Sequence, residues 1–299
     1  MRPILLLGVV CGMYAQAPRQ VDFSVLASRA QSFAEALPNL VCTEELLQKE
    51  LRYTSRLKVR NEDDSLVAPP PKTFVRKIVS ELGYALDGGK SGNWREVRKV
   101  MEVDGRTVTK REKAREKLVF GLRSDRDRER YRLLEEFRRY GLDVTVTDYS
   151  LSLLLFRAAE LPRYRFQWEK EEFAGADKVQ VFSFRRMDED AAVTVFEGKK
   201  ATHARIQGRL WLREDGVPVK IQLVAVTQDD DLTIRDEGTV EYSQSSFGPL
   251  VAARVDFVRR VAGKKIDERV MAEAEYVYAN YQRFGAEAEL KFETLPEEP

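Results

Sequence analysis

Histidine is almost missing from this chain: His203 stands alone among 299 residues, and cysteine occurs only at Cys11 and Cys42. One imidazole and two thiols leave no plausible zinc ligand set, so no metal site is expected, and no cofactor-binding motif is read in the chain. A serine nucleophile would depend on His203, read as a loop residue beside Thr202, and no Gly-x-Ser-x-Gly elbow exists to present the serine. An excess of one charge is missing too. The 50 basic and 49 acidic side chains leave a net charge of +1, which excludes the polyelectrolyte character that favours nucleic acid. No apolar run reaches the roughly 20 residues that cross a bilayer as a helix. The acidic clusters Asp188-Glu189-Asp190 and Asp229-Asp230-Asp231 lack the alternating loop, glycine and distal glutamate of a calcium site and read as solvated turns. Carboxylates are abundant, yet no pair is singled out for glycosidase-type acid and base work.

The N-terminus carries a basic start at Arg2, a short apolar run from Ile4 to Val10, and small residues at Ala15 and Ala17. This is the layout of a secretory signal, so residues 1–17 are expected to be removed and the mature chain exported to the periplasm or cell envelope. Cleavage after Ala15 or after Ala17 are the two options. Gly8-Val9-Val10 before Cys11 is a poor match to a lipidation site. Without that segment Cys42 has no partner for an intramolecular disulfide and reads as a buried small hydrophobe.

What is present in abundance is alternation. From Ala204 to Val226 two arms keep a period of two around Glu214-Asp215-Gly216, whose Asp-Gly chemistry suits a hairpin turn. Ile206, Leu210, Leu212, Val219, Ile221 and Leu223 form one apolar face, while Arg209, Trp211 and Arg213 point the other way. Upstream, apolar residues from Phe23 to Leu37 recur at helical spacing, with Asp22 or Ser24 as cap and Pro38 as stop. Leu40 to Tyr53 starts as a strand but runs through Glu44 to Glu50, where helix propensity is high. Asn61 to Lys72 reads as a proline-broken loop. Thr73 to Leu86 and Trp94 to Val103 read as strands joined across Gly88-Gly89-Lys90-Ser91-Gly92, which lacks the spacing and following helix of a phosphate loop.

Lys110 to Arg139 holds twelve basic and seven acidic residues. Tyr131, Leu134 and Phe137 lie at helical spacing within it, and Glu129 with Arg132 and Glu135 with Arg139 are expected as surface pairs. The basic excess makes Arg123, Arg126 and Arg130 candidates for contact with an anionic surface such as lipid headgroups. Leu142 to Arg157 is a short apolar block, read as buried helix or as the plug of a cavity. Beyond Pro162 strands follow almost continuously: 164–171, 178–186, the hairpin after a loop at 187–202, then 232–244, 250–261, 265–278 and 288–293. Successive hairpins imply an antiparallel meander that must curl.

The fold class predicted is α+β: a large curved antiparallel sheet, an unclosed β-barrel, with an N-terminal amphipathic helix and a charged helical insertion. Its organisation is a signal at 1–17, a single half-barrel domain at 18–294 with the insertion at about 110–157, and a tail at 295–299. Leu37-Pro38-Asn39-Leu40-Val41-Cys42-Thr43, Gly208-Arg209-Leu210-Trp211-Leu212 and Tyr278-Ala279-Asn280-Tyr281-Gln282-Arg283-Phe284 resemble exported proteins of acidobacterial type. Those are similar in layout to the periplasmic lipoprotein-carrier fold (LolA/LolB-like), a helix-capped half-barrel that shelters acyl chains. The resemblance implies a non-enzymatic carrier of an acyl chain or other apolar ligand. Two other readings stand beside it: an envelope structural or protein-interaction module whose core is filled by its own helices, and a carboxylate-dependent hydrolase. A packed concave face counts against the carrier, whereas an open apolar groove between sheet and helices supports it.

Overall fold

The alternation of the hairpin extends through most of the chain and builds one sheet. The computed structural model describes residues 21–53, 59–60, 66–67, 70–86, 94–124, 127–142, 148–188, 193–197, 200–229, 231–264 and 266–284. The expected signal at 1–17, the expected loop at Gly88 to Gly92, Arg126, the expected strand at 288–293 and the expected tail lie outside the described residues, as does most of the Asn61 to Lys72 stretch.

Asp22 accepts a hydrogen bond from the Ser24 backbone N–H at 2.8 Å and starts helix α1 (Phe23–Ala36), which buries Leu26, Ala30 and Phe33. Strand β1 (Leu40–Arg52) is strand throughout, including Glu44 to Glu50. Burial overrides propensity there: Leu40, Cys42, Glu44, Leu46 and Gln48 are buried at every second position, a period no helix keeps. A separate two-stranded pair, β2 (Val59–Arg60) and β3 (Leu66–Val67), precedes β4 (Lys72–Leu86), β5 (Trp94–Val103) and β6 (Arg106–Thr107). Helices α2 (Arg111–Arg123) and α3 (Asp127–Tyr140) form the expected charged pair, and 3-10 turns follow at Tyr149–Phe156 and Leu161–Arg163. The ladder then runs through β7 (Tyr164–Ala174), β8 (Asp177–Arg186), β9 (Val193–Glu197), β10 (Lys200–Arg213), β11 (Pro218–Asp229), β12 (Leu232–Gln244), β13 (Leu250–Gly263) and β14 (Ile266–Arg283).

Three details differ from the reading of the sequence. Leu66–Val67, inside the stretch expected as a proline-broken loop, pairs with β2 as β3. The stretch taken as a loop before Ala204 contains β9, which pairs with the first residues of β10, so the His203 backbone sits in a strand. The meander is also broken once. Strand order is β6-β5-β4-β1-β14-β13-β12-β11-β10-β8-β7, with β1 paired antiparallel to both β4 and β14. The two ends of this unclosed sheet are therefore β6 and β7, which are neighbours in the chain. The segment from α2 to Arg163 has to travel from one edge to the other, and Tyr149–Phe156 crosses the concave face on the way. Leu153 and Phe156 are fully buried there, in one core with Leu26 and Phe33 of α1 and the inward residues of most strands.

Candidate functional site

Three places carry the features on which a function could rest: the concave face of the hairpin, a set of buried charges, and a groove on the outer helices.

On the hairpin, Ile206, Leu210, Leu212 and Ile221 are buried in the main core, and Leu223 is half-buried against it. Gly216 has φ +78° and lies under the Asp22 carbonyl and Val25, so the turn is clamped by the first turn of α1. Val219 is the exception among the six. The register slips between Trp211 and Leu212, which turns Val219 to the opposite face beside Val179, Val181 and Trp211. Trp211 lies on the outer face as expected, but it is buried among those valines and donates its indole N–H to Glu172 at 2.6 Å. The concave face is thus packed by α1 and by Tyr149–Phe156. Phe23 stacks on Phe166 with centroids 4.3 Å apart, and Phe156 meets Phe184 edge-on at 5.1 Å.

Beneath the same face lies a group of charges that the sequence reading did not single out. Arg98 donates two hydrogen bonds to Glu44, at 2.7 and 2.8 Å, and a third to Glu96. Its guanidinium also faces the Phe137 ring at 4.8 Å. Glu96 accepts from the Ser150 backbone N–H at 3.2 Å and from its hydroxyl, and Asp148 accepts from the Glu96 backbone N–H at 3.3 Å. Glu44, Glu96 and Arg98 are 0%, 2% and 4% exposed. Burial pushes the Glu44 carboxyl above its usual range, with Arg98 opposing the shift. Burial, reinforced by Glu96, raises Asp148 to about 7 against the pull of Arg95, whose Nε is 2.9 Å from Asp148 Oδ2. Two carboxylates do converge, but on a buried arginine rather than on a surface that substrate could reach. Their evident work is to hold Tyr149–Phe156 on β5. The signal was present in the sequence: Glu44 keeps the parity of Leu40, Cys42 and Leu46, and Glu96 and Arg98 keep that of Val100. Cys42 is buried and free, and burial holds its thiol well above the usual range. The His203 side chain and Glu189 and Asp190 lie outside the described residues. Among the described residues, no group of three or more His, Cys, Asp or Glu side chains is placed to hold a metal ion.

The groove is on the other face. Buried Glu81 on β4 receives Arg111 at 3.1 Å and Arg115 at 2.8 Å, which fixes α2 to the sheet, and Lys99 on β5 fixes α3 through Glu136. A second apolar cluster of Val41, Ala85, Val97, Leu118 and Leu133 fills the space beneath. A Cβ at Gly121 would stand 2.7 Å from the terminal Cδ1 of Leu133, the side chain by which α3 packs on α2 at that point. Above this cluster, Val119, Phe120 and Leu133 of the helices and Phe284 beyond β14 wall a groove of about 940 Å³ with mainly apolar surface. That volume is at the upper end of the range for small-molecule sites. Of the basic candidates from the sequence, Arg123 lines it and stacks over Phe284 at 5.4 Å, Arg130 is half-buried, and Arg126 lies outside the described residues. Glu129 pairs with Arg132 as expected, whereas Glu135 reaches Arg138 rather than Arg139.

No protein-family model matches this chain, and no curated protein matches it. Solved structures that overlap it include a domain assigned to outer membrane lipoprotein sorting, from Vibrio parahaemolyticus. That overlap has 11% identity and a TM-score of 0.32 over 89% of this chain and 93% of that one. A DUF1329 family protein from Desulfovibrio piger overlaps at 10% identity and a TM-score of 0.31, over 92% of this chain and 98% of the other. MucB, solved in complex with MucA(peri), overlaps at 10% identity and a TM-score of 0.20, over 89% and 100%. Overlaps this weak carry no ligand, partner or location across to this chain.

Proposed function

We propose that this chain is an exported, non-enzymatic binding protein that takes an acyl chain or similar apolar, chain-like ligand into the groove walled by Val119, Phe120, Leu133 and Phe284. The observation that carries the reading is this groove of about 940 Å³, apolar and open beside a sheet whose concave face is already filled. A ligand on Ile206, Leu210, Leu212, Ile221 and Leu223 would first have to displace α1 and Tyr149–Phe156. In the groove it displaces only solvent, and burying apolar surface drives its entry. Export rests on the pattern of residues 1–17.

The test is native mass spectrometry with lipid extraction of protein purified from its own envelope, followed by displacement of a fluorescent fatty acid. Phe120 is largely exposed, so Phe120→Asp leaves the fold intact and is expected to weaken the probe by about tenfold or more. Absence of both co-purifying lipid and probe binding would move the protein to the second reading, an envelope interaction module. The self-filled concave face favours that alternative.

A further inference from the structure

The helical pair differs in charge from everything else in the chain. Between Lys110 and Arg139 bases exceed acids by five, while the whole chain carries only +1, so the remainder holds four more acids than bases. Such a separation makes the molecule a dipole that turns the helices toward a negative surface. The structure adds what the count cannot show. Phe120 is 64% exposed and Tyr131 is 61% exposed on this pair of helices. They lie on either side of one ridge, since Arg132 and Glu136 wall both the apolar groove and the shallower hollow that contains Tyr131. Lys117, Arg128 and Arg139 are exposed beside these rings and have no acidic partner among the described residues. Arg111 and Arg115, by contrast, are committed to Glu81. Exposed aromatics between unpaired cations match the interfacial zone of a bilayer, where rings enter the headgroup layer and ammonium or guanidinium groups meet phosphate.

We propose that the α2–α3 face docks on an anionic phospholipid bilayer, with Phe120 and Tyr131 entering the interface and Lys117, Arg128 and Arg139 meeting the headgroups. The groove then opens toward the lipid, and its ligand is an acyl chain of the same membrane. The location of the ligand rests on the proposed function; the docking rests on charge and exposed rings alone.

Co-sedimentation of the full chain with vesicles of phosphatidylcholine alone, and of phosphatidylcholine with phosphatidylglycerol, tests it. The expected result is binding to the anionic vesicles only, lost when salt rises from about 0.05 M to about 0.5 M. Lys117→Glu with Arg128→Glu, both exposed, is expected to weaken binding by at least about 25-fold, since loss of each basic residue alone accounts for roughly fivefold and each reversal adds a repelled charge. Lys178→Glu with Lys264→Glu makes the same change in net charge away from the helices and is expected to stay within about twofold. Equal binding to neutral vesicles, equal loss in both variants, no sedimentation, or a dimer in solution that hides this face would overturn the proposal. Fatty-acid displacement without vesicles separates the two readings. A chain that takes the probe but ignores anionic vesicles keeps the proposed function and loses the docking.

Discussion

Arg98 shows how much a single side chain can carry. It satisfies two buried carboxylates and faces an aromatic ring, so its removal leaves Glu44 and Glu96 charged or forces them to take up protons inside the core. Arg98→Met is expected to cost about 3–5 kcal/mol in denaturant unfolding, whereas replacing the whole trio by apolar residues costs far less. Asp148 gives a pH dependence of unusual sign. An aspartate in the unfolded chain loses its proton near 3.8, while in the fold it keeps it to about 7. The folded state holds the extra proton between those values, so this contribution is complete below about 3.8 and is lost as pH rises to about 7. One proton sets a ceiling of about 1.4 kcal/mol per pH unit, and the partial exposure of Asp148 lowers it. Urea unfolding of Asp148→Asn across that window is expected to lack this fall; a parallel pH profile in both proteins would refute it. The trio was legible in the parity of positions 44, 96 and 98. Its meeting was not, because Arg98 and Glu44 are 54 residues apart.

Two elements decide whether the concave face is open: α1 and Tyr149–Phe156. The helix was readable in the spacing of Phe23, Leu26, Ala30, Phe33 and Leu37, and Phe33→Ala is expected to cost about 3–5 kcal/mol in thermal or denaturant unfolding, because its ring is fully buried against Tyr84. The 3-10 segment was readable only as apolar, with core packing and cavity plugging both open, since no period separates a plug from a core turn. Its seat is a notch: a Cβ on Gly238 would come within 2.3 Å of the Tyr149 ring. Gly238→Ala is therefore expected to raise amide exchange in Tyr149–Phe156 more than in the flanking β12 and β13. Uniform exchange across all three would mean that the segment is as firmly held as the sheet. β1 is a strand as expected, although local propensity at Glu44 to Glu50 favours helix: neighbours β4 and β14 on both sides supply the ladder that overrides it.

For the whole molecule, the outer groove and the filled concave face are the two places where the proposed acyl ligand is tested. Trp168 on β7 and Trp211 on β10 lie far along the strand order from β4 and β5, where α2 packs, and Trp168 belongs to the core of the concave face. In a Trp94→Phe protein, a brominated acyl probe in the outer groove is expected to leave tryptophan emission unquenched. A probe under α1 would quench Trp168. Alternation, turn residues and helical spacing are local, so the antiparallel strands, the Asp-Gly hairpin, α1 and the charged helical pair follow from the order of residues alone. The insertion of β1 between β4 and β14, the slip that turns Val219 outward, the burial of Arg98 between two glutamates and the groove between Leu133 and Phe284 were decided only by the tertiary structure. Each depends on which distant residues arrive at the same place, and a one-dimensional pattern holds no record of that.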